Sequence, residues 1–379
     1  MGRILLKEHL TEYSVRNKKG EDIPVYSVTN TEGFCKDYFS KDVSSKDRTT
    51  YKIVPKGCFA YNPSRINVGS VDCQRVEDQV IVSPLYVVFS TSDRIDNEYL
   101  YYFLKSDICN QLIKANATGS VRDNLKFTTL QSFSIPDISI EEQKKVANTI
   151  KHLNKIINEY RECLKKYDEL VKSRFIEMFG DVVINEKNWN RLTLGDICEV
   201  GSSKRVFEKD YVLHGIPFFR TKEIVELSKG NKITTELFIT EEHFEQLKSV
   251  YGAPQKDDLL ISAVGTIGTI WIVSGDFDFY FKDGNLIQIK SSSKFNSIYM
   301  KYLLDELIAN YKLEMSTGTA YSALTIAGLK KMLVYDVPIE LQNQFATFVE
   351  QTDKSKFEIQ KSLEKLEILK KSLMQQYFG

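Results

Sequence analysis

Between Glu141 and Phe179 apolar side chains return at alternating steps of four and three: Val146, Ile150, Leu153, Ile157, Tyr160, Leu164, Tyr167, Val171 and Met178, with Arg174 the one break. That is a heptad seam, and with no Pro or Gly in the segment it predicts a helix of about 38 residues, roughly 57 Å long at 1.5 Å per residue. A second segment, Glu340 to Phe378, carries Phe345, Val349, Ile359, Leu363, Leu366, Leu373 and Tyr377 in the same register, interrupted by polar Thr352, Lys356 and Lys370. Two long surface helices folded onto their own domains would fit this spacing; mutual pairing fits it better, so the reading is an antiparallel coiled coil. Off the seam lie further apolar residues, Ile156, Leu170, Phe175 and Ile176 in the first helix and Phe357, Ile368 and Leu369 in the second. A two-stranded coil cannot cover them all, and they predict a docking stripe for the helices of another subunit.

The two helices belong to a larger repeat. Shifting the chain by 199 residues lays Thr118–Gly180 over Thr317–Gly379 without a gap, with 18 of 63 positions identical, and both stretches end in Phe-Gly. The same shift pairs Gly69-Ser70-Val71 with Gly268-Thr269-Ile270, and a slightly smaller one pairs "IPVY" (23–26) with "IPFF" (216–219). Two copies of one unit make up the chain.

Outside the long helices each copy mixes short strands with one packed helix. "QVIVSPLYVVF" (79–89), "DLLISAV" (258–264), "GTIWIV" (268–273) and "GNLIQIK" (284–290) are β-branched, apolar and bounded by turn residues. "NEYLYYFLKSDICNQLIKANA" and "NSIYMKYLLDELIANYKLEM" each have the period of a helix. Strands precede helices, so the class is α+β: two pseudo-repeated mixed α/β domains separated by two long helices. The boundaries are 1–140 for the first domain, 141–180 for the first spacer helix, 181–338 for the second domain and 339–379 for the second helix.

Composition narrows the function more than the fold. The 379 residues hold 51 Lys and Arg against 51 Asp and Glu, so a coat of positive charge for nucleic acid is excluded and any such site must be local. No stretch of about 18 apolar residues exists, and "MGRILLKEHL" is too charged for a signal peptide, which points to the cytoplasm. Cys35, Cys58, Cys73, Cys109, Cys163 and Cys198 form no C-x-x-C pair and read as reduced thiols. His9, His152, His214 and His243 lack ligand spacing, so no metal site is expected. Walker, G-x-G-x-x-G, G-x-S-x-G and H-E-x-x-H patterns are absent, and "YNPS" (61–64) lacks the second proline and aromatic of an amino-methyltransferase loop. No catalytic residue is assigned.

What recurs in both copies is polar, glycine-bearing and loop-like. "YNPSRINVGSV" (61–71) matches "ISAVGTIGTI" (261–270), and "TGSVRDN" matches "TGTAYSA". Hydroxyls and backbone amides suit phosphate, and planar Arg and Asn groups pair with base edges. The candidate DNA-binding residues are therefore Asn62, Ser64, Arg65, Asn67, Gly69, Ser70, Thr118, Ser120, Arg122 and Asn124 in the first copy. In the second they are Ser202, Ser203, Lys204, Arg205, Arg220, Thr221, Lys222, Ser262, Thr266, Thr317, Thr319 and Ser322. Any one of these loops alone would read as an ordinary turn; their doubling carries the inference.

Taken together, "TLGDICEVGSSKR", "GIPFFRTKEI", "DLLISAVGTIGTIW", "YNPSRINVGSV", "TGSVRDNLKF", "IPDISIEEQKKVA" and the paired Phe-Gly endings resemble the specificity subunits of type I restriction-modification enzymes over essentially the whole chain. The usual proline-rich turn before each helix is "IPDISIEEQ" here and "YDVPIELQN" in the second copy, a departure that bears on where the helices start. The resemblance implies a non-catalytic DNA reader with one recognition domain per half-site. It also implies two modification subunits, which carry S-adenosylmethionine and methylate adenine, and two restriction subunits. Two other classes compete: a methyltransferase or nuclease with an unrecognised site, and a coiled-coil scaffold whose domains bind no nucleic acid.

Overall fold

The computed structural model describes residues 2–36, 47–116, 124–316 and 324–379, with the backbone alone at 314–316. The chain divides into two compact units, residues 1–162 with 359–379 and residues 163–358. Each long helix therefore contributes its first half to one unit and its second half to the other.

Unit 1 runs through β1 (Arg3–Leu5), β2 (Leu10–Glu12), β3 (Tyr26–Thr29), β4 (Gly33–Lys36), β5 (Lys52–Pro55), β6 (Phe59–Tyr61), β7 (Val71–Cys73), β8 (Gln79–Val82) and β9 (Val87–Thr91). Then come α1 (Asn97–Leu104), α2 (Asp107–Asn116), α3 (Phe127–Gln131), β10 (Ser134–Pro136) and the start of α4 (Ile140–Phe179). Its main sheet has the order β2-β9-β6-β7, antiparallel throughout. β1 pairs with β10, β3 with β4 and β5 with β8.

Unit 2 repeats the plan. The chain continues through β11 (Arg191–Thr193), α5 (Leu194–Ile197), β12 (Val200–Gly201), β13 (Ile216–Phe219), α6 (Thr221–Ser228), β14 (Phe238–Ile239) and α7 (Glu241–Tyr251). β15 (Leu259–Ser262), β16 (Ile270–Ile272), β17 (Tyr280–Phe281), β18 (Leu286–Ile289), α8 (Ser297–Ser316), α9 (Ile326–Lys331), β19 (Leu333–Tyr335) and α10 (Ile339–Phe378) follow. The sheet β12-β18-β15-β16 reproduces the strand order and antiparallel sense of β2-β9-β6-β7, and β11–β19 reproduces β1–β10. The copies part company beside this scaffold. Where the first copy has the β3–β4 hairpin and the β5–β8 pair, the second has β14-β13-β17 with α6 and α7, and β13 runs parallel to β17.

Both long helices form, at 40 residues each, starting one residue before the positions read from the periodicity. Ser139 caps α4, its hydroxyl and backbone N–H both donating to Glu142 Oε2 at 2.9 Å. The helices pair antiparallel in each unit. In unit 1, Val146 and Ile150 near the start of α4 share a core with Met374 and Phe378 at the end of α10, and further along Arg161 meets Glu367 at 2.6 Å. In unit 2, Asp168 meets Lys356 at 2.5 Å, and Phe175 and Phe179 meet Phe345 with ring centroids 5.3 and 5.6 Å apart.

The twin Phe-Gly endings anchor these helices. Phe179 packs on Tyr299 at 4.7 Å and Phe378 on Tyr99 at 5.0 Å, so each copy's helix ends in the core of the other copy's domain. Gly180 takes the left-handed conformation, φ 76°, that closes a helix end, and its N–H reaches Ile176 O at 2.7 Å. Donors cover the last carbonyls of both helices. Lys187 and the Trp189 indole reach the end of α4, and Arg3 reaches Phe378 and Gly379.

Several expectations are corrected. Phe175 is no part of an exposed stripe: it is 2% exposed, because it packs on Phe345 of α10 and under Tyr299 and Tyr302 of α8. Ile156, Leu170, Ile176, Phe357, Ile368 and Leu369 remain exposed. Thr352 does not interrupt the seam but is buried in it, its hydroxyl donating to Phe348 O one turn back. The single helix read over 97–117 is two, because Ser106 caps α2 by accepting the N–H of Cys109. The strand read over 79–89 is likewise two, β8 and β9. Among the described residues no helix is long and apolar enough to cross a membrane.

Candidate nucleic-acid interface

In unit 1 the candidates from Asn62 to Ser70 fall in one loop, the β6–β7 connection, which closes on itself. Asn62 Oδ1 accepts the N–H and hydroxyl of Ser64 at 3.1 and 2.9 Å, Arg65 N–H reaches Asn62 O at 3.0 Å, and Asn62 N–H reaches Ser70 O at 3.1 Å. Gly69 sits at φ 93°, and its carbonyl accepts the Lys105 ammonium at 2.5 Å. Burial pulls the pKa of Lys105 below its usual value, opposed by the Asp72 charge. Leu125, next to exposed Asn124, is tied to the same loop through Pro63 O and the Tyr61 hydroxyl. Arg65 projects from this frame exposed and without an ion pair among the described residues.

The equivalent β15–β16 connection in unit 2 is built alike. Gly268 has φ 78°, and a Cβ there would stand 2.5 Å from Ile308 Cγ2, so only glycine lets the loop lie against α8. Ser262 and Ser70 turn out to be internal. Ser262 bonds to the carbonyl of Thr266 and accepts Thr269 N–H, and Ser70 donates to Val28 O at 2.6 Å. Thr266 is exposed.

Two further candidate groups meet at one end of β17. Ser202 and Ser203 donate to Leu286 O and Phe281 O at 2.9 and 2.6 Å, and Arg205 pairs with Asp283 at 3.0 Å. Parallel pairing of β13 with β17 brings Arg220 to the same end, where Lys282 N–H bonds Phe219 O. Arg220 is engaged by Glu223, buried at 3.0 Å, and by Glu236 at 3.6 Å; hydrogen bonding to Glu223 holds its pKa above the usual value. Lys222 also pairs with Glu236, and the Thr221 hydroxyl is buried without a partner among the described residues. Lys204 makes no ion pair among the described residues and lies 5.2 Å over the Tyr251 ring. Thr118, Ser120, Arg122, Thr317, Thr319 and Ser322 lie outside the described residues.

One pair of working residues escaped the sequence reading. Gln143 in α4 is fully buried; its amide donates to Arg94 O and Ile138 O at 3.0 and 3.1 Å and accepts Asp96 N–H at 2.8 Å. Gln342 in α10 does the same for Val337 O and Asn296 N–H, both at 2.8 Å. They lock the start of each long helix to the cap of the domain helix before it. Their identity at the 199-residue shift was the available signal. Among the described residues no three His, Cys, Asp or Glu side chains gather as a metal ion would require.

A duplicated sheet scaffold, each copy presenting a matched glycine loop beside an edge that differs from its twin, defines a two-headed recognition protein. The model of the type I restriction modification DNA specificity domain matches twice, at residues 3–166 and 186–370, and the chain belongs to that family. The type I restriction enzyme MjaIX specificity subunit of Methanocaldococcus jannaschii is 25% identical over 366 residues, 87% of this chain and 80% of its own. A Haemophilus influenzae relative, S.HindORF215P, is 24% identical over 268 residues, 69% of this chain and 66% of its own. The solved S subunit of the type I restriction-modification system from M. genitalium has this fold, with TM-score 0.57 and 16% identity over 100% of this chain and 96% of that one.

Proposed function

We propose that the chain reads a bipartite duplex target, one domain per half-site, and holds two modification and two restriction subunits while supplying no catalytic group. S-adenosylmethionine then belongs to the modification subunits. The observation that carries this reading is the contrast between the copies. Their sheets, glycine loops and helix anchors match, whereas the elements beside them, β3, β4, β5 and β8 against β13, β14, β17, α6 and α7, do not. A protein that read the same bases twice would have no use for that divergence. Exposed Ile156 and Ile368 in unit 1, and exposed Ile176 and Phe357 in unit 2, offer apolar surface that partner helices would cover.

Mapping methylated adenines in a host genome with and without the gene tests the proposal. The expected outcome is one motif of two unlike halves separated by unread bases, lost on deletion. A continuous or symmetric motif would refute one domain per half-site. Methyl transfer to DNA by the chain alone would refute the non-catalytic role.

A further inference from the structure

In unit 1 the helix seam contains a lysine, Lys370, where the other copy, 199 residues earlier, buries Val171. Lys370 lines a cavity of about 750 Å³ bounded by α2, by α4 around Asn154–Arg161 and by the last turns of α10. Five cationic side chains face two carboxylates in this lining. Of the carboxylates, Glu367 is bonded to Arg161 at 2.6 Å, and Asp107 stands on the exposed first turn of α2. Of the cations, Lys105 is committed to Gly69 O, whereas Lys114, Lys370 and Lys371 have no ion pair among the described residues. The amides of Asn158 and of Asn154, the latter also bonded to the Tyr102 hydroxyl, add donors to the same lining.

An ammonium withdrawn from water without a counter-charge is costly. Burial lowers the pKa of Lys370, and the neighbouring Arg161 charge acts in the same direction against Glu367 and Asp107. The other copy avoids this cost. At the positions equivalent to Asn154, Asn158 and Lys370 it has Asp353, Phe357 and Val171, so the cationic cavity belongs to unit 1 alone. Three unpaired ammonium groups drawn from α2 and α10, with amides between them, exceed what one carboxylate can occupy. They match the several acceptor oxygens and higher charge of a phosphate.

We propose that this cavity binds a phosphate ester, held by Lys114, Lys370 and Lys371. The proposal goes beyond the reading of DNA bases and can fail without it. Titration calorimetry of the full chain with pyrophosphate at low ionic strength tests it, with ATP and a random-sequence duplex as competitors. The wild type should bind pyrophosphate, and Lys370→Val, which installs the residue packed in the other copy, should weaken binding by about tenfold or more. Lys371→Ala, an exposed change, should weaken it in the same direction and guards against a folding defect in the first variant. Displacement by the duplex, with a shallower salt dependence in Lys370→Val, assigns the site to a nucleic-acid backbone; displacement by ATP alone assigns it to a nucleotide. No binding by the wild type, equal binding by both variants, or displacement by neither competitor overturns the proposal.

Discussion

Gln143 and Gln342 show what one residue carries in this fold. Each satisfies backbone groups that the junction between a domain and its long helix would otherwise bury unpaired. Gln143→Ala should therefore cost about 2 to 4 kcal/mol, since a buried donor and two acceptors are orphaned together. Urea denaturation measures this, and a loss below about 1 kcal/mol would show that water replaces the amide. Asp305 in α8 gives a test of pH. Burial holds its carboxyl above the ordinary 3.8, with Lys301 at 2.7 Å pulling the other way. A raised folded value means the charged form is penalised in the fold, fully at neutral pH and progressively less as the pH falls through that value. Asp305→Asn should raise the melting temperature of the full chain slightly at pH 7, the gain fading towards about pH 4. A gain that grew on acidification would reverse the sign. Single residues were the least legible scale in the sequence. Ser70, Ser202, Ser203 and Ser262 look like free hydroxyls in a string of letters, yet the first three donate to backbone carbonyls brought near by pairing elsewhere in the fold, and Ser262 donates to Thr266 O within its own loop.

The long helices were legible because heptad periodicity belongs to the segment itself and needs no tertiary partner to be seen. Of the two readings that failed there, one failed for a tertiary reason and one for a local one. Phe175, outside the heptad series, packs on Phe345 of α10 and under α8, and Thr352 hides its polarity by bonding within its own helix. The antiparallel sense can be tested through the pair Arg161 and Glu367, about half exposed and 2.6 Å apart. Such a pair contributes about 0.2 to 1 kcal/mol. Arg161→Glu and Glu367→Arg should each lower stability, and the double exchange should restore most of the loss at low salt and little at high salt. Additive losses in the double variant would mean that the two side chains do not meet.

For the whole molecule, the proposed reading makes each domain's side chains answerable for separate bases. Arg65 of unit 1 and Lys204 of unit 2 are suitable probes, because both are exposed and neither is spent on an ion pair among the described residues. Arg220 is a poorer choice, since removing it strands the buried Glu223 carboxylate and confounds recognition with stability. Bipartite targets should be selected from a randomised duplex library with the full chain and its modification subunits. Arg65→Ala should relax or weaken one half-site and leave the other half unchanged. Lys204→Ala should do the reverse. A lost base contact costs about 1 to 3 kcal/mol at a single position, whereas a lost phosphate contact weakens every sequence alike and reduces the salt slope by about one. The two kinds of loss are thus separable in one experiment. If both variants altered bases in the same half-site, the two heads would be reading together, and the assignment of one domain to each half would fall even though the duplicated fold stands.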